Sequence, residues 1–325
     1  MMERGNPPKV TILVLNWNGG QRLTACLSSL IHLTDYDNYE VIVVDNGSTD
    51  GSTEHAEARL QNLDVLSLGR NYGYARGNNQ GIKYALAKHG PSYILLLNND
   101  TRIVQNDWLS RMIRTAETDR SIAVVGPKLM YPDGAAQFYA GYFTPLERVF
   151  YWGNETRQVE WVSGACFMIR TDVLMRLGAF DERYSPYFYE ETEYCARCSK
   201  KGYKVLTVPS AKLVHFGQQS LRRVEDSEAI YNWCKNEILF FLTNLPRSYL
   251  VSVLRKDLGE AASKKQFAAT MRGYLDGYRL SRREPLIWRP PSAIDVFPEV
   301  TDLSQPEAEQ RASRLRYGAE RPRTS

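Results

Sequence analysis

The sequence predicts an α/β fold: a Rossmann-like, open and mainly parallel sheet flanked by helices, followed by a helical C-terminal extension. Three observations carry this reading. Short apolar runs rich in β-branched residues recur at 10–15, 41–44, 64–68, 93–97 and 122–126, as strands buried on both faces do. Helix-period segments separate them, and strand–helix alternation returns successive strands in the same direction. Polar residues follow three of the runs: Asn16, then Asp45, then Asn98–Asn99–Asp100. Open α/β sheets bind ligands beyond the carboxyl ends of their strands, so these clusters converge on one edge.

The elements follow in order. Val10–Leu15 is the first strand and stops at Asn16. Leu23, Cys26, Leu27, Leu30 and Ile31 then fall on one helical stripe. Val41–Val44 leads into Asp45–Asn46–Gly47–Ser48–Thr49–Asp50–Gly51, which mixes turn formers with helix N-cap residues. Asp64–Leu68 is the third strand, 76–88 a helix and Tyr93–Leu97 the fourth strand. Trp108–Glu117 is helical and Ile122–Gly126 is the fifth strand. From Met130 to Glu160 periodicity gives way to aromatics, Gly and Pro, which predicts irregular loops with short strands around a cleft. Val162–Arg170 returns as a strand, and Thr171 caps a helix ending at Leu177. Residues 190–201 are helical, and Lys204–Val208 is a strand ending at Pro209. A helical pattern then runs from Glu225 to about Arg283. The expected organisation is a first domain over 1–220, a helical extension over 221–285 and an irregular tail over 286–325. The last 15 or so residues of that tail are expected to be disordered.

Composition narrows the function classes. Hydrophobic residues are 43% and charged residues 24% of 325, enough to bury a sizeable core. A net charge of +4 is too mild to argue for a nucleic-acid partner. The basic excess falls late, in Arg222–Arg223, Lys264–Lys265 and Arg282–Arg283. That pattern suits a solvated face or a surface facing anionic lipid. Five scattered cysteines make no disulfide framework and fit a reducing compartment. Cys195 and Cys198 form one isolated C-x-x-C, which inside a helical run reads as accidental spacing rather than zinc. Residues 1–9 lack a signal-like apolar segment, and the longest apolar stretch, Ile238–Leu245, is too short to span a bilayer. A cytoplasmic protein is expected.

Four groups of residues can carry chemistry. Asp100 emerges from a buried strand end, where a carboxylate either binds Mg²⁺ or Mn²⁺ or caps the next helix. Glu190, Glu191 and Glu193 sit among Tyr187, Phe188, Tyr189 and Tyr194. Aromatic surroundings disfavour an ionised carboxyl and move it toward what a general base needs; an acidic first helical turn explains the same residues. His215 follows the strand and turn at 208–214 and is either a packed histidine or a ligand. Arg70–Asn79 is dense in Gly and Asn, which lets backbone and amides approach phosphate or sugar oxygens; an ordinary loop and helix start is the alternative. It is not a P-loop, lacking Gly-Lys-Ser/Thr.

The order of these motifs resembles glycosyltransferase family 2. Val14–Leu15–Asn16–Trp17–Asn18–Gly19, Val43–Gly51, Asn71–Asn79 and Leu96–Asp100 carry the resemblance. Trp161–Cys166, Gly178–Glu182 and Pro209 to His215 extend it, over roughly residues 9–220, and the rhamnosyltransferase-like branch is the most similar. The resemblance implies a GT-A fold and inverting, single-displacement transfer from a nucleotide-diphosphate sugar to a hydroxyl. In that reading Asp45 accepts a hydrogen bond from the pyrimidine with Asn16 nearby, and Asn98 and Asn99 border the donor. Arg70, Asn71, Gly73 and Asn79 line the donor sugar pocket. Asp100 binds Mg²⁺ or Mn²⁺, assisted by His215. Trp161, Gly164, Ala165 and Glu190 border the acceptor, and Glu191 is the base. The donor is dTDP-L-rhamnose, with UDP-sugars as alternatives, and the acceptor is a glycan or lipid-linked glycan. For the helical extension the readings are packing on the core, a homodimer or peripheral membrane association.

The sequence departs from the family pattern twice. The usual Asp-x-Asp reads Asn98–Asn99–Asp100, one charge fewer, which implies weaker metal affinity. The usual Glu-Asp-x-Asp reads Glu190–Glu191–Thr192–Glu193, so the base is one methylene longer. A non-catalytic carbohydrate-binding relative is one alternative. A sugar-nucleotide pyrophosphorylase is disfavoured, because Val14–Gly20 holds no Lys or Arg for a triphosphate.

Overall fold

A computed structural model describes residues 6–60, 63–137, 139–144, 148–217, 227–246, 248–250, 254 and 266–290. The strands are β1 (Val10–Asn16), β2 (Tyr39–Asp45), β3 (Asp64–Ser67), β4 (Tyr93–Asn98), β5 (Thr101–Ile103), β6 (Ile122–Met130), β7 (Ala140–Phe143), β8 (Arg148–Phe150), β9 (Arg157–Gln158), β10 (Trp161–Val162), β11 (Cys166–Arg170) and β12 (Lys204–His215). The helices are α1 (Gln21–Leu33), α2 (Ser52–Arg59), α3 (Gly73–His89), α4 (Trp108–Ala116), α5 (Thr171–Leu177), α6 (Glu190–Lys200), α7 (Ser227–Asn244) and α8 (Phe267–Ser281).

The main sheet has the order β3-β2-β1-β4-β11-β6-β12-β5, with β9 paired to β12. β1 to β4 are mutually parallel and β12 is parallel to β6, while β11 runs antiparallel between β4 and β6. The mainly parallel α/β sheet is as the apolar runs predict, and the core sits on its two faces. Val10, Ile12, Leu13 and Val14 are wholly buried, as are Ile42, Val43, Val44, Ile94 and Leu95. Runs apolar at consecutive positions need helices on both sides, which α1, α3 and α4 supply.

Four details differ from the sequence reading. The Met130–Glu160 stretch is more regular than expected: β7, β8 and β10 pair as a separate antiparallel sheet. The expected strand Val162–Arg170 splits into β10 and β11, because residues 163–165 turn from the small sheet into the main one. β12 does not stop at Pro209. It continues to His215 through a register shift between Val208 and Lys212, where a residue without an N–H is tolerated. The long C-terminal helix is broken after Asn244, ahead of Pro246, which cannot continue a helix.

The helical extension is no separate body among the described residues: one compact unit runs to Arg289. Leu239, Phe240 and Phe241 of α7 lie in the main core, with Phe240 5.1 Å from Phe143 and 5.4 Å from Tyr189, ring to ring. Leu286 and Ile287 run beside Asp181 and Glu182. The disorder expected of the last 15 or so residues falls outside the described residues.

Candidate active site

The parallel register brings the polar strand ends together. Asn16 lies opposite Asp45, and Asp45 lies opposite Ser67. Asn98 is paired beside Leu15 and donates its backbone N–H to the Ala165 carbonyl at 3.0 Å. Antiparallel β11 therefore starts where β4 ends, and the Ser163–Ala165 turn joins the same rim as Asn98–Asp100.

Asp100 and His215 form the most specific pair there. His215 is paired with Thr101 across β12 and β5, and its Nε2 lies 3.2 Å from Asp100 Oδ1. The Asp100 carbonyl accepts from Phe216 N–H at 2.9 Å. Helix α4 begins well beyond it with Asp107 as N-cap, so Asp100 is not a helix cap. Gln137 fixes the ring. Its Nε2 donates to the carbonyls of His215 (2.5 Å) and Met130 (3.5 Å), so its Oε1 accepts from His215 Nδ1–H at 3.0 Å. A protonated ring donates Nε2–H to the carboxylate; once that proton is lost, the Nε2 lone pair and the carboxylate face each other 3.2 Å apart and suit a cation between or beside them. Burial acts to raise the Asp100 carboxyl, but the His215 hydrogen bond and charge, with Arg22, outweigh it and hold it below the usual range. One carboxylate oxygen and one imidazole nitrogen fit a divalent ion whose other ligands are phosphate and water oxygens. Among the described residues no three His, Cys, Asp or Glu groups cluster as a complete protein-only metal site.

Glu191 is the second residue of α6 and lies beside Gly164. A methyl group built on Gly164 would lie 3.5 Å from Glu191 Cγ and 3.1 Å from the Tyr74 hydroxyl. That hydroxyl donates to the Gly164 carbonyl at 2.7 Å. Burial first, then the charges of Glu190 and Glu191, push Tyr74 well above its usual range, so it stays a donor. Glu190 is 4% exposed and points inward, with Oε2 lacking a hydrogen bond. Burial, reinforced by the Glu191 charge, raises it well above the usual carboxylate range, against the pull of Lys235. Glu193 is spent on Arg197, 2.8 Å away on the same helix. Trp161 is buried in the small sheet against Gly141, with Phe150 edge-on at 5.9 Å.

The donor-side residues divide into rim and interior. The Asp45 carboxylate accepts from Ser48 N–H at 3.1 Å. The Arg70 guanidinium stacks on Tyr72 at 4.6 Å, and Asn71 Oδ1 accepts from Gly73 N–H at 2.8 Å. Gly73 has φ 78° and a Cβ there would stand 2.7 Å from the Pro186 carbonyl, so only glycine fits. Asn16 and Asn79 differ from the expectation of donor contact: both are wholly buried. Asn16 Nδ2 donates to Ser52 and Ser48, while its Oδ1 accepts from Asn99 Nδ2 at 2.7 Å. Asn79 exchanges two hydrogen bonds with the Phe180 backbone, each 3.0 Å. Their amides hold loops in place.

Three residues with parts in this rim escaped the sequence reading. Asn46 accepts from Tyr72 N–H at 2.9 Å and donates to Asn71, tying the 70–73 loop to the end of β2. It stands next to Asp45 inside a quoted motif, so a signal was present. Tyr74 also stood in a quoted motif. Gln137 lies in the irregular stretch and had no signal.

A sheet of this topology, with its candidate ligands on one rim, is the GT-A fold. It belongs to the family described as glycosyl transferase family 2, whose model matches residues 11–178. An N-acetylglucosaminyl-diphospho-decaprenol L-rhamnosyltransferase of Mycobacterium tuberculosis is 27% identical over 65% of this chain and 77% of its own length. The dTDP-rhamnosyl transferase RfbF of Shigella flexneri is 27% identical over 60% of this chain and 66% of its own. Two longer curated relatives are spanned over only 24% and 18% of their length. A solved structure of GalNAc-T7 with UDP, GalNAc and Mn²⁺ superposes with a TM-score of 0.56 at 17% identity, over 89% of this chain and 60% of that one.

Proposed function

We propose that the protein transfers a deoxyhexose, L-rhamnose from dTDP-L-rhamnose, to a hydroxyl of a glycan or lipid-linked glycan with inversion. The observation that carries this reading is the Asp100–His215 pair and Glu191 beside Gly164, all at one rim of the sheet. The names of the mycobacterial and Shigella relatives favour rhamnose, and the latter favours dTDP.

In this reading Asp45 accepts from the pyrimidine N–H, and Arg70 with the 71–73 backbone faces the diphosphate sugar. Asp100 and His215 Nε2 hold Mg²⁺ or Mn²⁺, which supplies positive charge to the departing diphosphate. Glu191 takes the acceptor hydroxyl proton. The protonation of Glu190 favoured by its burial leaves the negative charge of the acidic pair on Glu191, where a base needs it. Gly164 leaves room beside that carboxylate, and Tyr74 holds the turn. Asn16 and Asn79 position loops without touching the donor.

Replacing Glu191→Gln keeps shape and removes the base. Transfer falls by about 10²- to 10⁴-fold in kcat, while dTDP binding, followed calorimetrically with Mn²⁺, is retained. Undiminished transfer by this variant removes Glu191 from the role.

A further inference from the structure

We propose that α7, outside the family-matched segment, belongs to the catalytic unit. Lys235, Asn236 and Glu237 are positioning residues that set the Tyr184–Tyr189 loop and, through it, Glu191. The inference rests on Glu191 acting as the base.

The loop needs an external hold. It enters α6 through two non-glycine residues at positive φ, Phe188 at 82° and Tyr189 at 72°, and Tyr189 is the residue that precedes the helix. Such a residue is strained and persists only where its surroundings over-determine it. An irregular buried loop also presents carbonyls that no ladder satisfies.

Three consecutive residues of α7 answer both needs. Asn236 is wholly buried, and its Nδ2 donates to the carbonyls of Tyr184 (2.5 Å), Tyr187 (2.9 Å) and Phe188 (2.9 Å). Lys235 Nζ donates to the Ser185 carbonyl at 2.5 Å. The Tyr189 hydroxyl donates to Glu237 Oε1 at 2.6 Å. Successive helical residues point about 100° apart, so the three reach different parts of the loop. Lys235 carries a second link: it is the cation attracting Glu190, although burial dominates and lowers it to about 8.

The held loop touches both halves of the site. It continues directly into Glu190 and Glu191. Its Pro186 carbonyl accepts from Tyr74 N–H at 2.6 Å and abuts Gly73, the two residues that face the donor loop and the Gly164 turn. A helix that only filled the core would act through Leu239, Phe240 and Phe241; the polar trio acts on the loop.

The test uses the full chain carrying Asn236→Ala, Lys235→Met, Lys235→Arg or Tyr189→Phe, with Glu191→Gln as control. Hydrogen exchange decides the clamp by itself. Amides of 184–191 should exchange about tenfold or more faster in Asn236→Ala while β1–β4 keep their protection. Unchanged exchange at 184–191, or an equal rise throughout the sheet, overturns it. Nucleotide release from dTDP-L-rhamnose with Mn²⁺ reads the catalytic side. Asn236→Ala and Lys235→Met should lose about tenfold in kcat at unchanged KM, and Lys235→Arg should recover most of that loss. If Glu191→Gln keeps its rate, the base reading has failed. If Glu191→Gln loses it while the α7 variants do not, the clamp alone has failed. Should Asn236→Ala not fold, Tyr189→Phe, which removes one hydroxyl, carries both readouts.

Discussion

Asp100 and His215 meet because β5 and β12 pair in a register that sets His215 against Thr101, next to Asp100. The carboxyl is held below its usual range, so it contributes stability above that range and loses it as pH falls through the lowered value. Asp100→Asn should therefore cost about 1 kcal/mol at neutral pH, with the gap to wild type closing as pH falls below the usual carboxylate range. Thermal melts across pH read this. A gap that stays constant into acid contradicts it. At this scale the sequence was informative where a side chain stands at the end of a buried strand, as Asp45 and Asp100 do. It misled for Asn16 and Asn79, because the same amide chemistry serves a ligand or a loop, and only burial separates the two uses. Gln137 was illegible because its part depends on meeting His215 across 78 residues of chain.

The apolar runs at 10–15, 41–44 and 93–97 became β1, β2 and β4, since periodicity reports burial on both faces directly. β11 was visible as a strand, but its antiparallel place between β4 and β6 was not, because direction is settled by tertiary pairing. That placement brings Gly164 and Ala165 to the rim that carries Asn98–Asp100. The extension reads as helical in sequence, yet its packing depends on two glycines. Gly273 sets α8 against the Tyr231 carbonyl and Gly277 against the Lys235 carbonyl, where an added Cβ would collide with backbone. Gly277→Ala should destabilise by about 1–3 kcal/mol, because backbone cannot yield as a flexible side chain does. Urea unfolding measures this, and an unchanged midpoint would mean that α8 is free to shift.

The family-matched residues 11–178 contain Asp45, Asp100 and Gly164 but neither Glu191 nor His215. The complete rim needs chain from beyond that segment, and α7 belongs to the same compact unit. A chain ending at residue 217 would uncover Phe143 and Tyr189, which pack on Phe240. Each large side chain removed from such a core forfeits about 1.5–3 kcal/mol of burial. The shortened protein should lose its cooperative melt by circular dichroism. A sharp transition near that of the full chain would show that the sheet stands without α7.

The central claim is that Asp100 and His215 hold a divalent ion against the donor diphosphate. Diffraction from a crystal grown with dTDP and Mn²⁺, measured at the manganese absorption edge, tests it most directly. The account predicts one anomalous peak at bonding distance from Asp100 and His215 Nε2, in contact with the nucleotide's phosphates. Nucleotide bound with its phosphates away from that pair, or a manganese peak elsewhere, would contradict it.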